Sequence, residues 1–110
     1  MSWSNYRKSV DKVQLQIVND LKKMGISVLP INCEIDLVIG YNGKNYLIEV
    51  KDPEYISKKT GKILQSAFTE SQKKLMSEWL GDTIYAVTSS SEIIEIIANG
   101  EIPERADKRR

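Results

Sequence analysis

Three charged residues, Asp36, Glu49 and Lys51, lie in two strand-like runs, Glu34–Gly40 and Lys44–Lys51, that flank Tyr41-Asn42-Gly43. Asn-Gly between such runs is the strongest short-range signal of a β-hairpin. A two-residue turn at Asn42-Gly43, or a four-residue loop over Tyr41–Lys44, sets Asp36 directly opposite Glu49 and Glu34 opposite Lys51. Side chains alternate along a strand, so these four project from one face. Ile35, Leu37, Ile39, Tyr46, Ile48 and Val50 take the other face, while Val38 and Leu47 continue the charged one toward the turn. An odd-length loop with a bulge would break this pairing.

Two carboxylates that face each other across a sheet repel, and partial burial raises one pKa unless a cation sits between them. Mg²⁺ or Mn²⁺ is the cation that suits two carboxylates and water. Lys51 shares their face, where an amine can orient or deprotonate an attacking water and stabilise charge developing on a phosphate. The competing reading is a satisfied salt-bridge quartet of Glu34, Asp36, Glu49 and Lys51 on a solvated sheet face.

Composition narrows the chemistry further. The chain has no histidine, which excludes His-dependent triads, zinc-hydrolase sites and His–metal nuclease motifs. Its single cysteine, Cys33, leaves neither a disulfide framework nor enough soft ligands for zinc, and reads as a small buried or half-buried apolar residue. A net charge of +1 says nothing about nucleic acid as a whole, so local distribution carries that argument. No apolar run approaches the ~20 residues of a membrane span, and the N-terminus lacks a signal-peptide h-region, so a cytoplasmic protein is expected.

At 110 residues the chain fits one domain, expected over residues 1–100 with a disordered tail at 101–110. Val10, Val13, Ile17, Leu21 and Met24 recur at helical spacing and predict a helix from about Asn5 to Met24, stopped by Gly25. Ile26–Ile31 reads as a short strand. The polar, lysine-bearing stretch Asp52–Phe68 reads as a long loop, and such length more often signals function than neglect. Thr69-Glu70-Ser71-Gln72 has the form of a capping box opening a helix to about Leu80, closed by Gly81. Thr83–Val87 reads as a strand, and Ser90 or Ser91 as the cap of a last helix over Glu92–Ala98. The expected order is α-β-β-β-α-β-α, an α/β (α+β) fold with a central mixed sheet flanked by helices.

Asp36, then Glu49-Val50-Lys51 on the next strand, resembles the signature of the PD-(D/E)xK nuclease superfamily. The chain is similar in particular to the stand-alone virus-type replication-repair nuclease (VRR-NUC) domains of phages and bacteria. Asp11-Lys12-Val13-Gln14 resembles their helix acid and glutamine, and Thr69–Lys73 with Glu78-Trp79 and Gly81 their segment after a basic loop. The likeness spans about Asp11 to Ile97. One departure is that Cys33-Glu34-Ile35 stands where such families place glycine and proline.

The resemblance implies a restriction-endonuclease-like core and a Mg²⁺- or Mn²⁺-dependent DNA endonuclease, acting on branched DNA such as Holliday junctions or flaps in replication, repair or recombination. Asp36, Glu49 and the Val50 carbonyl would hold one ion, with Asp11 directly or through water. Lys51 would position the nucleophilic water, and Gln14 and Gln72 would hydrogen-bond Lys51, a water or the phosphate. The plainer readings are a first-turn charge for Asp11, a helix-edge residue for Gln14 and a cap partner for Gln72.

Phosphate contacts are expected from Lys58, Lys59, Lys62, Lys73 and Lys74, and less from Arg7, Lys8 and Lys12, although each could be a solubilising charge. Trp3, Tyr6, Tyr41 and Tyr55 could stack on unpaired bases, whereas Trp79 is expected in the core. Ile93, Ile94, Ile96 and Ile97 nearly encircle the last helix, which suggests an interface and a homodimer. Two other classes compete: a nuclease-fold binding module without cleavage, and an oligomerisation protein whose hairpin charges are only a solvated surface.

Overall fold

The computed structural model describes residues 8–31 and 33–99, with side chains from Lys12 onward in the first helix. The expectations for Trp3, Tyr6, Arg7, the side chains of Lys8 and Asp11, and the tail at 101–110 lie outside the described residues. The elements are α1 (Lys8–Lys23), β1 (Ser27–Pro30), β2 (Leu37–Tyr41), β3 (Lys44–Val50), α2 (Glu70–Glu78), β4 (Ile84–Val87) and α3 (Ser90–Asn99). The result is an α+β fold with one four-stranded mixed sheet in the order β1-β2-β3-β4. The first three strands are antiparallel, and β4 joins β3 in parallel, which requires the crossover that carries α2.

Helix α1 ends because Gly25, at φ +81°, adopts the left-handed conformation. The Ile26 N–H then reaches the Leu21 carbonyl and the Gly25 N–H the Lys22 carbonyl, both at 3.0 Å, which is a Schellman closure. Ile26 and Leu21 enter the same core, along with Ile17, Leu37, Ile39, Ile48, Val50, Val87, Ile93 and Ile96. This core fills the space between one sheet face and helices α1 and α3. Ile94 and Ile97 also pack against it, partly buried.

The hairpin register is the expected one. Asn42 (φ +52°) and Gly43 (φ +80°) make a two-residue turn that pairs Tyr41 with Lys44, Ile39 with Tyr46 and Leu37 with Ile48. Strand β2, however, begins at Leu37 rather than Glu34. The Ile31 N–H donates to the Asp36 carbonyl (2.9 Å) and the Asp36 N–H to the Ile48 carbonyl (3.1 Å), while residues 33–35 bend away. Cys33 is exposed there, not buried.

Other boundaries also move. The stretch 52–68 is not structureless: it holds 3₁₀ turns at Pro53–Tyr55 and Gln65–Ala67 and a bridge between Ile56 and Ile63. Ile63, fully buried outside the main core, anchors it. Helix α2 stops at Glu78, two residues short of Leu80, and the chain becomes extended at Trp79 (ψ 126°) instead of closing at Gly81. Its half-buried apolar residues are Leu75 and Met76, and the period ends with them. Trp79 is 47% exposed and not in the core. Helix α3 begins earlier than expected, at Ser90, whose hydroxyl donates to Asp20 of α1 (2.7 Å) rather than capping its own helix.

Candidate active site

Beyond the last pair of the β2–β3 ladder, Asp36 and Glu49 remain on the face opposite the main core, and both are buried, 5% and 3% exposed. The parallel pairing of Glu49 with Ala86 and Leu47 with Ile84 lays two further apolar residues beside them. The Asp36 carboxylate receives the Val50 backbone N–H on Oδ2 at 2.8 Å, which locks the two strand ends together. Val50 itself is buried with its side chain in the main core.

Glu49 is held differently on its two oxygens. Oε2 accepts from Gln72 Nε2 at 2.6 Å and lies 3.3 Å from Lys51 Nζ, whereas Oε1 is buried without a hydrogen-bond partner. Burial first, and then the facing Asp36 charge, push this carboxyl from 4.5 up to about 8. Lys51 and the Gln72 hydrogen bond pull in the other direction but do not offset those two effects.

Lys51 is itself enclosed, with a side chain 12% exposed. Its ammonium donates to Gln72 Oε1 at 2.9 Å and lies 5.1 Å from the centre of the Phe68 ring. Gln72 reaches this position because it is the N3 residue of α2. The Thr69 hydroxyl accepts its N–H and its own Oε1 accepts the Thr69 N–H, both at 3.1 Å, so the expected capping box is complete. Gln72 therefore faces inward, to Glu49 and Lys51.

Glu34 does not take part in the anticipated quartet. It is exposed, and its carboxylate accepts from Ser71 at the start of α2 (3.0 Å), a consequence of the bend that removes it from the strand. Gln14 is buried on α1 with its Oε1 unpartnered, outside the hydrogen-bond set of Asp36, Glu49, Lys51 and Gln72. Among the described residues no group of three or more His, Cys, Asp or Glu side chains gathers, so the acidic complement they offer is the Asp36–Glu49 pair.

Lys58 and Lys59 are exposed on the Ser57–Lys62 turn, where the Ser57 hydroxyl accepts both the Lys59 and Thr60 N–H groups. Lys62 is half-buried. Lys73 lies 3.5 Å from Glu70, and Lys74 pairs with Glu78 at 3.1 Å, both solvent-exposed pairs of little energetic weight. Tyr41 and Tyr55 are exposed. Phe68 has no counterpart among the sequence expectations: a lone phenylalanine at the end of a polar stretch carries no periodic signal, and only the folded chain brings it under Lys51.

A pair of buried carboxylates, one with an unpartnered oxygen and a raised pKa, is a site short of positive charge. An oxygen-seeking divalent cation fits that donor set. No protein-family model, curated protein or solved structure matches the chain. No helix among the described residues is long and apolar enough to cross a membrane.

Proposed function

We propose that this chain is a Mg²⁺- or Mn²⁺-dependent DNA endonuclease of the PD-(D/E)xK type, built on a restriction-endonuclease-like core. The observation that carries the reading is the buried, unpartnered Glu49 Oε1 beside Asp36, with Lys51 fixed on the same face. Three antiparallel strands followed by a parallel fourth, with the acidic pair at the far end of the hairpin, are compatible with that architecture.

Asp36 and Glu49 would hold the ion, with the Val50 carbonyl and Asp11 as further donors. When bound, the ion supplies an acidified water and neutralises charge on the phosphodiester. Lys51 orients that water and offsets charge developing on the phosphate, a role that requires its amine to be fixed in place. Gln72 and Phe68 fix it. Lys58 and Lys59, exposed on their turn, can follow a phosphate backbone without reading bases. Preference for branched DNA belongs to the same proposal and comes from the family resemblance, and action as a homodimer rests on the isoleucine-rich last helix.

Cleavage and DNA binding measured separately on wild type and Lys51→Ala distinguish this enzyme from a binding module on the same fold. A drop of roughly 10²-fold or more in cleavage, with binding retained, is expected for a group that stabilises transition-state charge. Unchanged cleavage would remove Lys51 from the chemistry.

A further inference from the structure

We infer that Gln72 positions Glu49 for a divalent cation: together with Lys51 it occupies Oε2, so that Oε1 alone is left to meet the ion. The inference rests on the nuclease reading and deepens it by assigning the oxygen that meets the ion and the residue that selects it.

Each carboxylate oxygen has about two acceptor sites. On Oε2 both are used, by the Gln72 amide at 2.6 Å and the Lys51 ammonium at 3.3 Å. On Oε1 neither is used, although the atom is buried.

The orientation of the Gln72 amide follows from its neighbours. Lys51 Nζ and the Thr69 N–H can only donate, so both face Oε1, which leaves Nε2 for the Glu49 carboxylate. The side chain cannot swing away without breaking half of the capping box, since its Oε1 accepts the Thr69 N–H. Gln72 is thus a positioning residue: the start of α2 decides which oxygen of Glu49 is left for the ion. Groups that hold a ligating carboxylate typically change metal affinity by roughly 10–100-fold when removed.

The test is an Mn²⁺ titration followed by electron paramagnetic resonance on the full chain, for wild type, Gln72→Ala and Ser71→Ala, with folding of each checked by thermal unfolding. Gln72→Ala should weaken Mn²⁺ binding by roughly 10–100-fold. Ser71→Ala removes the contact to Glu34 at the same helix start, touches neither oxygen of Glu49, and should bind Mn²⁺ as wild type does. Wild-type affinity in Gln72→Ala, or an equal loss in Ser71→Ala, would overturn the inference. Absence of any Mn²⁺ binding by folded wild type would instead overturn the nuclease reading beneath it.

Discussion

Replacing Glu49 with glutamine is expected to stabilise the metal-free protein at alkaline pH and to have little effect in acid. The wild-type carboxyl is 3% exposed, faces Asp36 and has one oxygen with no donor. Its pKa rises from 4.5 to about 8 on folding, so the native state favours the neutral form. The stabilisation from holding that proton is complete below pH 4.5 and is lost as pH rises through 8. At about pH 9 the native chain must carry the buried charge, at a cost relative to the unfolded chain of at most about 5 kcal/mol, from roughly 1.36 kcal/mol per tenfold. Glutamine has nearly the same shape and never ionises. Since about 1 kcal/mol moves Tm by roughly 4–8 °C in a domain near this size, even a fraction of that cost gives a gap of about 5–15 °C. Thermal unfolding in EDTA, followed by circular dichroism from about pH 5 to about pH 9, reads it directly. The two curves should nearly coincide at the acidic end and separate at the alkaline end, with Glu49→Gln the more stable. Equal stability at the alkaline end, or a more stable wild type, would show that this carboxylate is not an uncompensated buried charge.

Thr69→Ala removes the hydroxyl that accepts the Gln72 N–H and should cost about 1 kcal/mol in urea unfolding. Gly43→Val forces a β-branched residue to φ +80° in the turn that sets the hairpin register, with an expected drop in stability of about 1–2 kcal/mol, read by the same unfolding measurement. Lys58→Ala combined with Lys59→Ala should lower the slope of log K against log salt for duplex DNA by about 2, near 0.9 for each phosphate no longer neutralised. An unchanged slope removes both lysines from the interface.

The parts of the site that could be read from sequence are those set by local rules. Asn42-Gly43 fixes the hairpin turn, and strand alternation then places Asp36 and Glu49 on one face and Leu37 and Ile48 on the other. The Thr69–Gln72 capping box is equally local and appears as expected. What escaped depends on pairings between distant segments. Gln72 meets Lys51 as the resemblance implies, but its contact with Glu49 across 23 positions and that of Ser71 with Glu34 across 37 leave no periodic trace. The bend at residues 33–35 turned Glu34 from a partner of Lys51 into a partner of Ser71. Ile56 and Ile63 were too few to register as strands within a polar stretch, yet their bridge orders it. Trp79 failed in the other direction: its size suggested a core residue, but α2 ends at Glu78 and its side chain stays 47% exposed.

Whether the Asp36–Glu49 pair cuts DNA is decided by incubating a small panel of branched and linear DNAs with wild type and Asp36→Asn, in Mg²⁺ or Mn²⁺. Removing one of the two buried carboxylates should abolish cleavage, as should EDTA, while branched DNA should be cut in preference to plain duplex by the wild-type chain. Failure of folded wild type to cut any of these DNAs with either metal, or cleavage that persists in Asp36→Asn, would be incompatible with a metal-dependent nuclease site at this pair.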